Sequence, residues 1–97
     1  MNNFDEQVKE GVSLVDFYAN WCGPCKIVGN TIKELENDKT ITANIIKIDV
    51  DEETELATKL KIRSLPTILI YKDGEEMDRV SGVKSKKELT ELIAKLS

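Results

Sequence analysis

The chain contains no histidine and only two cysteines. Without histidine, acid–base or nucleophilic catalysis by an imidazole ring is excluded. The common zinc sites are also excluded, because their ligands come from further cysteines or from histidine. We therefore expect no metal site, and few candidate chemistries remain for this chain.

The sequence also lacks a long apolar run, since none approaches the roughly 20 residues that a membrane-spanning helix needs. Its first residues, MNNFDEQVKEG, have neither the basic nor the apolar region of a signal peptide. These absences predict a soluble protein of the cytoplasm, a reducing compartment where structural disulfides are rare. The two cysteines then need another explanation.

The chain has fewer basic than acidic residues, with 14 Lys and Arg, 18 Asp and Glu, and a net charge of -4. This acidic balance argues against a nucleic acid or an anionic membrane as partner. The length of 97 residues, with 33% charged and 40% hydrophobic residues, is typical of a single globular domain over residues 1–97.

The first third of the chain predicts a helix followed by a buried strand. Asn3 and Glu6 have the spacing of a capping box for a short helix over residues 4–10, which Gly11 ends. Residues 12–19 are mostly apolar at both alternate sets of positions. That pattern predicts an interior parallel strand covered on both faces.

The next segment completes a strand–helix–strand unit. Apolar residues at helical spacing predict an amphipathic helix from Cys25 to about Asp38, with Pro24 near its first turn. Residues 44–50 predict a second apolar strand. A parallel pair joined through a helix implies a right-handed crossover.

A short helix should follow this strand. Asp51 is the predicted cap, with Glu52 and Glu53 in the first turn and Lys59 and Lys61 near the last. Acidic residues at the start and basic residues at the end of a helix both interact favourably with its dipole.

The last part of the chain predicts a hairpin and a closing helix. Residues 67–72 and 76–81 flank Asp73-Gly74, which is among the strongest short-range signals for an antiparallel hairpin. Ser85 and Glu88 form a capping box for the final helix. The predicted order of elements is αβαβαββα, an α/β fold with four strands.

The motif Cys22-Gly23-Pro24-Cys25 places two thiols three residues apart at the start of a helix. Side chains at this spacing are close enough to form a disulfide. A helix N-terminus stabilises a thiolate, so Cys22 is the predicted nucleophile and Cys25 the resolving thiol of disulfide exchange. The alternatives are two inert buried cysteines or half of a zinc site.

The strand VDFYA followed by WCGPC, with LPT and a DG hairpin further along, closely resembles the thioredoxin family. The resemblance extends from Phe4 to Leu96. It implies the thioredoxin fold, with three α/β/α layers around a mixed sheet, and a protein-disulfide reductase without a bound cofactor. It also implies a monomer, with a weak dimer through the apolar surface around the cysteines as the alternative. The implied partners are protein disulfides and a thioredoxin reductase linked to NADPH or ferredoxin.

Two charged residues interrupt apolar strands. Burial should raise the pKa of Asp16, and the resemblance implies that it assists deprotonation of the resolving cysteine. The alternative is a carboxylate hydrogen-bonded to nearby backbone. Lys47 matches the family lysine beside that aspartate and is predicted to tune it, or else it simply extends over apolar surface at a strand edge.

The resemblance also implies a substrate-binding surface. Leu65, Pro66 and Thr67 match the family loop with a cis proline that faces the cysteines. Its backbone would pair with an extended substrate segment and so accept many sequences. The residues expected to surround this apolar docking surface are Trp21, Gly23, Pro24, Leu65, Ser81, Gly82 and Val83. The alternative for each is ordinary packing or turn geometry, and for Trp21 a place in the core.

The sequence departs from the family at three places. Family members usually begin with a strand before the first helix, and its absence here predicts a sheet of four strands. Gly29-Asn30 stands where a helix-kinking proline is usual, and Tyr18 where a second tryptophan is common. None of these changes alters the two thiols.

Two other functions are open for the same motif. A more stabilised thiolate would make the pair a disulfide oxidant or isomerase. Alternatively, the domain is a binding subunit whose thiols need not cycle. A glutaredoxin-like role is disfavoured because WCGPC is not the usual motif of that family.

Overall fold

The computed structural model describes residues 3–97, in which eight elements follow one another in the predicted order. The helices are α1 (Phe4–Gln7), α2 (Gly23–Asn37), α3 (Thr54–Lys59) and α4 (Lys86–Ala94), and the strands are β1 (Val12–Tyr18), β2 (Asn44–Asp49), β3 (Thr67–Lys72) and β4 (Glu75–Ser81). Strands β1 and β2 each end one residue earlier than predicted, and β4 begins one residue earlier.

The sheet of residues 3–97 has four strands in the order β2-β1-β3-β4. Strand β1 runs parallel to β2 and antiparallel to β3, and β3 and β4 form the predicted antiparallel hairpin. The sheet is therefore mixed, as expected for the thioredoxin fold. Strand β1, which leads directly to the cysteines, lies in its interior.

Apolar side chains on both faces of β1 explain its uninterrupted hydrophobic sequence. Val15 and Phe17 pack into one cluster together with Phe4 of α1. Leu14 packs into a second cluster with Ile32 of α2. Because helices cover both faces of the sheet, the predicted three-layer arrangement is confirmed.

Helix α1 is shorter than predicted, and the Asn3 side chain makes no capping hydrogen bond. After Gln7 the backbone bonds to the β3–β4 turn instead of continuing the helix. The Gly74 N–H donates to the Val8 carbonyl at 2.9 Å, and the Asp73 N–H donates to the Gly11 carbonyl at 2.9 Å. These tertiary bonds end the helix before residue 10.

The predicted cap of α3 is wrong. The helix begins at Thr54 with Glu53 at its N-cap position and no side-chain cap. Glu52 and Glu53 lie in a preceding turn, where both N–H groups donate to the Asp49 carbonyl. Asp51 lies in this turn as well, and its carboxylate bonds to a distant side chain described below. Lys61 lies beyond the helix end, with a left-handed φ of 59°.

The hairpin turn and the cap of α4 agree with their sequence signals. Asp73 and Gly74 have φ values of 50° and 89°, as a two-residue hairpin turn requires. The Glu88 N–H donates to Ser85 Oγ at 3.1 Å, and the Ser85 N–H donates to Glu88 Oε1 at 2.9 Å. Both predictions depend on residues close in sequence, and both are confirmed.

Candidate active site

Cys22 and Cys25 are joined by a disulfide, with their Cα atoms 5.3 Å apart. Cys22 is the N-cap residue of α2, so the helix begins at Gly23, two residues earlier than predicted. The Cys25 N–H donates to Cys22 Sγ at 3.2 Å. The Cys25 N–H and the positive end of the helix dipole thus face the Cys22 sulfur, and both stabilise a thiolate there.

A surface groove contains Cys22 but not Cys25, and we call it the Cys22 groove. One side is formed by the active-site turn and the other by the segment before β3. Its lining residues are Trp21, Cys22, Gly23, Pro24, Val50, Ile62, Arg63, Ser64 and Leu65. Residues 62–65 form what we call the groove wall. A ligand lying in this groove therefore contacts Cys22 and not Cys25.

Pro66 lies directly after the groove wall, and the Leu65-Pro66 peptide bond is cis, as the family resemblance predicted. The Gly82 N–H donates to the Pro66 carbonyl at 3.0 Å, which joins this loop to the end of β4. Thr67 is buried, and its hydroxyl donates to the Ser64 carbonyl. Its side chain therefore shapes the loop from inside and does not line the groove surface.

The other predicted docking residues are close to the loop without lining the groove. Ser81 pairs with Thr67 in the β3–β4 ladder, so the end of β4 lies beside the proline loop. Val83 follows and is 50% exposed. The structure thus places Ser81 and Gly82 beside the proline loop, with Val83 directly after them, and Trp21, Gly23, Pro24 and Leu65 in the lining of the Cys22 groove.

Trp21 is 72% exposed, so a place in the core is wrong for this residue. Its indole N–H donates to Asp51 Oδ2 at 2.9 Å. This bond holds the ring at the edge of the Cys22 groove. Asp51 lies two residues before the N-cap position of α3, and its carboxylate binds Trp21 and not the helix.

Asp16 lies in the middle of β1 and is 2% exposed. Among residues 3–97, its Oδ1 atom has no hydrogen-bond partner. Desolvation by burial raises the pKa of Asp16 to about 6, and the positive charge of Lys47 opposes part of this rise. The alternative was a carboxylate that accepts hydrogen bonds from nearby backbone, and Oδ1 accepts none. A group with this pKa can exchange a proton near neutral pH.

Lys47 is the direct neighbour of Asp16 in the parallel pairing of β1 and β2. Its ammonium group is also 3.5 Å from Glu36 Oε1, and its side chain is 43% exposed. Lys47 thus lies beside Asp16, where its positive charge lowers the pKa of that carboxyl, and its side chain reaches solvent at the edge strand β2.

A second groove lies on the other side of the disulfide and contains Cys25. It is lined by Tyr18, Ala19, Asn20, Cys25, Lys26, Gly29, Asn30, Lys33 and Lys47. Cys25 and Lys47, the neighbour of Asp16, thus line the same groove, and Cys22 does not line it. Helix α2 continues through Gly29-Asn30 without interruption.

Sequence reasoning missed several residues of the site. Val50, Ile62, Arg63 and Ser64 line the Cys22 groove, yet no motif pointed to them. The only signal for residues 62–64 of the groove wall is their position directly before the Leu65-Pro66-Thr67 loop. Nothing in the sequence distinguishes Asp51 as the partner of Trp21, because 30 residues separate them.

Comparisons with known proteins agree with this geometry. A family model described as thioredoxin matches residues 1–95. The chain is 47% identical over 94 residues to a thioredoxin of Staphylococcus saprophyticus, covering 97% of this chain and 90% of that relative. It is 44% identical over 93 residues to a thioredoxin of Staphylococcus aureus, covering 96% and 89%.

Solved structures show the same similarity. A mutant thioredoxin from Halobacterium salinarum matches with a TM-score of 0.89 and 34% identity, covering 99% of this chain and 84% of that one. A thioredoxin from Plasmodium falciparum matches with a TM-score of 0.85 and 37% identity, covering 97% and 91%.

Proposed function

Because this chain belongs to the thioredoxin family of thiol-disulfide oxidoreductases, we propose that residues 1–97 act as one domain that reduces protein disulfides through Cys22 and Cys25. The observation that carries the proposal is the position of the Cys22 sulfur. It caps a helix N-terminus and lies in a groove that the second cysteine does not line.

The first chemical step is attack by Cys22. In the reduced protein, its thiolate attacks one sulfur of a substrate disulfide, forms a mixed disulfide and releases the other substrate sulfur as a thiolate, which takes up a proton. The Cys25 N–H and the dipole of α2 support this step because they stabilise negative charge on Cys22.

The second step is attack by Cys25 on Cys22. The Cys25 thiol loses its proton, its sulfur forms the Cys22–Cys25 disulfide, and the second substrate sulfur leaves as a thiolate. We assign Asp16 as the group that takes up the Cys25 proton. Support comes from its pKa of about 6 and from Lys47, which neighbours Asp16 and lines the groove of Cys25.

Substrate binding is assigned to the Cys22 groove and the adjoining proline loop. The exposed ring of Trp21 and the side chain of Leu65 give the groove apolar surface, with Val83 exposed nearby. We expect an extended substrate segment to lie against the backbone around Pro66, in the manner of an added strand. Such binding depends little on side-chain sequence.

The family works with disulfide substrates and thioredoxin reductase, and we assign this chain a reductase linked to NADPH or ferredoxin as its electron donor.

No helix within residues 3–97 is long and apolar enough to cross a membrane. We assign the protein to the cytoplasm as a monomer. The net charge of -4 supports an assignment without nucleic-acid or membrane partners.

Turnover of a protein disulfide tests this function. With NADPH, a bacterial thioredoxin reductase and insulin, we expect NADPH consumption that depends on the concentration of this protein. The matched control is the double variant Cys22→Ser, Cys25→Ser, which keeps the fold but has no thiol. Equal NADPH consumption with both proteins would contradict a reductase and favour a binding subunit whose thiols do not cycle.

A further inference from the structure

The side chain of Arg79 connects β4 to the end of α3. Its Nη2 donates to the Leu60 carbonyl at 2.9 Å and its Nη1 to the Lys61 carbonyl at 3.2 Å. On the other side, Nε and Nη2 donate to the two carboxylate oxygens of Glu76, each at 2.9 Å. Arginine suits this position because its planar group offers five N–H donors in fixed directions.

A bulge in β4 brings this pair together. Residues three apart in a regular strand lie on opposite faces, so Glu76 and Arg79 would not normally meet. The register between β3 and β4 shifts between Ile70 and Tyr71, which leaves Met77 as an extra residue. A bulge of this kind redirects side chains. Here it allows Glu76 to hold the guanidinium group of Arg79 against the end of α3.

The two carbonyls that Arg79 binds directly precede the groove wall. The last carbonyls of a helix lack partners within the helix, and Leu60 at the C-cap of α3 is one of them, so Arg79 supplies its donor from outside. The chain also turns sharply here, since Lys61 has a φ of 59°. Arg79 therefore fixes the point at which the chain leaves α3 and enters the groove wall.

The segments on either side of the groove wall are thus bound by β4 and by Gly82, the residue directly after it. At its start, Arg79 binds the carbonyls of residues 60 and 61. At its end, the Gly82 N–H donates to the Pro66 carbonyl at 3.0 Å. Residues 62–65 lie between these two attachments and face Trp21 and Cys22 across the groove.

We propose that Arg79 is a positioning residue for protein substrates, because it holds the groove wall at the distance from Cys22 that an extended polypeptide segment needs. This inference rests on the proposed function of the Cys22 groove. Arg79 itself touches neither cysteine, so it acts through the wall. A small disulfide reaches Cys22 without filling the groove and should not depend on Arg79.

Single-turnover kinetics of Arg79→Met tests this inference. The reduced protein is mixed with excess insulin or with a small aromatic disulfide, and the rate is followed by Trp21 fluorescence. For insulin we expect the half-saturating concentration to rise about five-fold, as is common for indirect coupling, with the maximal rate unchanged. For the small disulfide, the rate constant should stay unchanged.

Two further variants complete the experiment. Lys86→Met removes another partly exposed ion pair, between Lys86 and Asp38 at 3.0 Å, which lies at the start of α4. It should leave both substrates unaffected. Arg79→Lys keeps the charge and one donor group, so its half-saturating concentration should lie between those of the wild type and Arg79→Met.

The inference is overturned if Arg79→Met leaves the half-saturating concentration for insulin unchanged. It is also overturned if this variant slows both substrates equally, or if Lys86→Met has the same effect, because either result indicates general loosening of the fold. A wild-type protein that reduces the small disulfide but not insulin would instead contradict the proposed function.

Discussion

Replacing Cys25 with serine is expected to stop turnover and to leave the protein covalently attached to its substrate. Cys22 can still attack a protein disulfide, but no second thiol remains to release the mixed disulfide. Mass spectrometry of the reduced variant after mixing with insulin should show an adduct through Cys22. The adduct should disappear on addition of dithiothreitol.

Cys22→Ser is the matched control for this trapping experiment. It keeps a thiol at position 25, on the side of the second groove and away from the lining of the Cys22 groove. We expect no adduct and no turnover above the uncatalysed rate. If Cys22→Ser formed the adduct and Cys25→Ser did not, the assigned order of attack would be reversed.

Replacing Asp16 with asparagine is expected to make the protein more stable at neutral and alkaline pH. The folded chain holds this carboxyl at a pKa of about 6, against an ordinary value of 3.8. Its neutral form is therefore favoured in the folded state, and ionisation is opposed by burial. At pH values above 7 the difference corresponds to about 3 kcal/mol of destabilisation.

The sign of the pH dependence follows from the same values. As pH rises from about 4 to about 6, the unfolded chain has already lost the Asp16 proton while the folded chain still holds it. The wild type therefore loses stability relative to Asp16→Asn across this window. Urea unfolding at pH 4 and pH 8 should show the advantage of the variant growing by roughly 2 to 3 kcal/mol.

Asp38→Asn is the control with the opposite sign. Hydrogen bonds from Thr40 and Lys86 lower the pKa of Asp38 to about 2, so its ionised form is favoured in the folded state. This variant should be slightly less stable than the wild type at both pH values, with little change between them. An advantage of Asp16→Asn that is equal at pH 4 and pH 8 would contradict the assigned state of Asp16.

Several local sequence signals predicted their elements correctly, although the caps expected at Asn3 and Asp51 do not form. The Asp73-Gly74 turn and the Ser85 capping box are local, and both form as expected. The apolar strand before the cysteines is predictable because both of its faces are covered by helices. The end of α1 was not predictable, since backbone bonds to the distant β3–β4 turn replace further helical bonds.

The candidate site, like the fold, was predictable from the sequence only in part. The WCGPC motif predicts two thiols at the start of a helix, although α2 begins two residues earlier than expected, and the family resemblance predicts the cis bond before Pro66. The groove wall and Arg79 could not be predicted, because their arrangement depends on a bulge in β4 and on contacts across 18 and 19 residues. Such contacts have no local sequence pattern.

The reduction potential of the Cys22–Cys25 pair tests the central claim most directly. The protein is equilibrated with a reference dithiol of known potential, and the fluorescence of Trp21, which adjoins Cys22, reports the fraction oxidised. A reductase predicts a value of about −270 mV, which is typical of thioredoxins. A value of roughly −120 to −180 mV would contradict the account, because a pair in that range acts as a disulfide oxidant or isomerase.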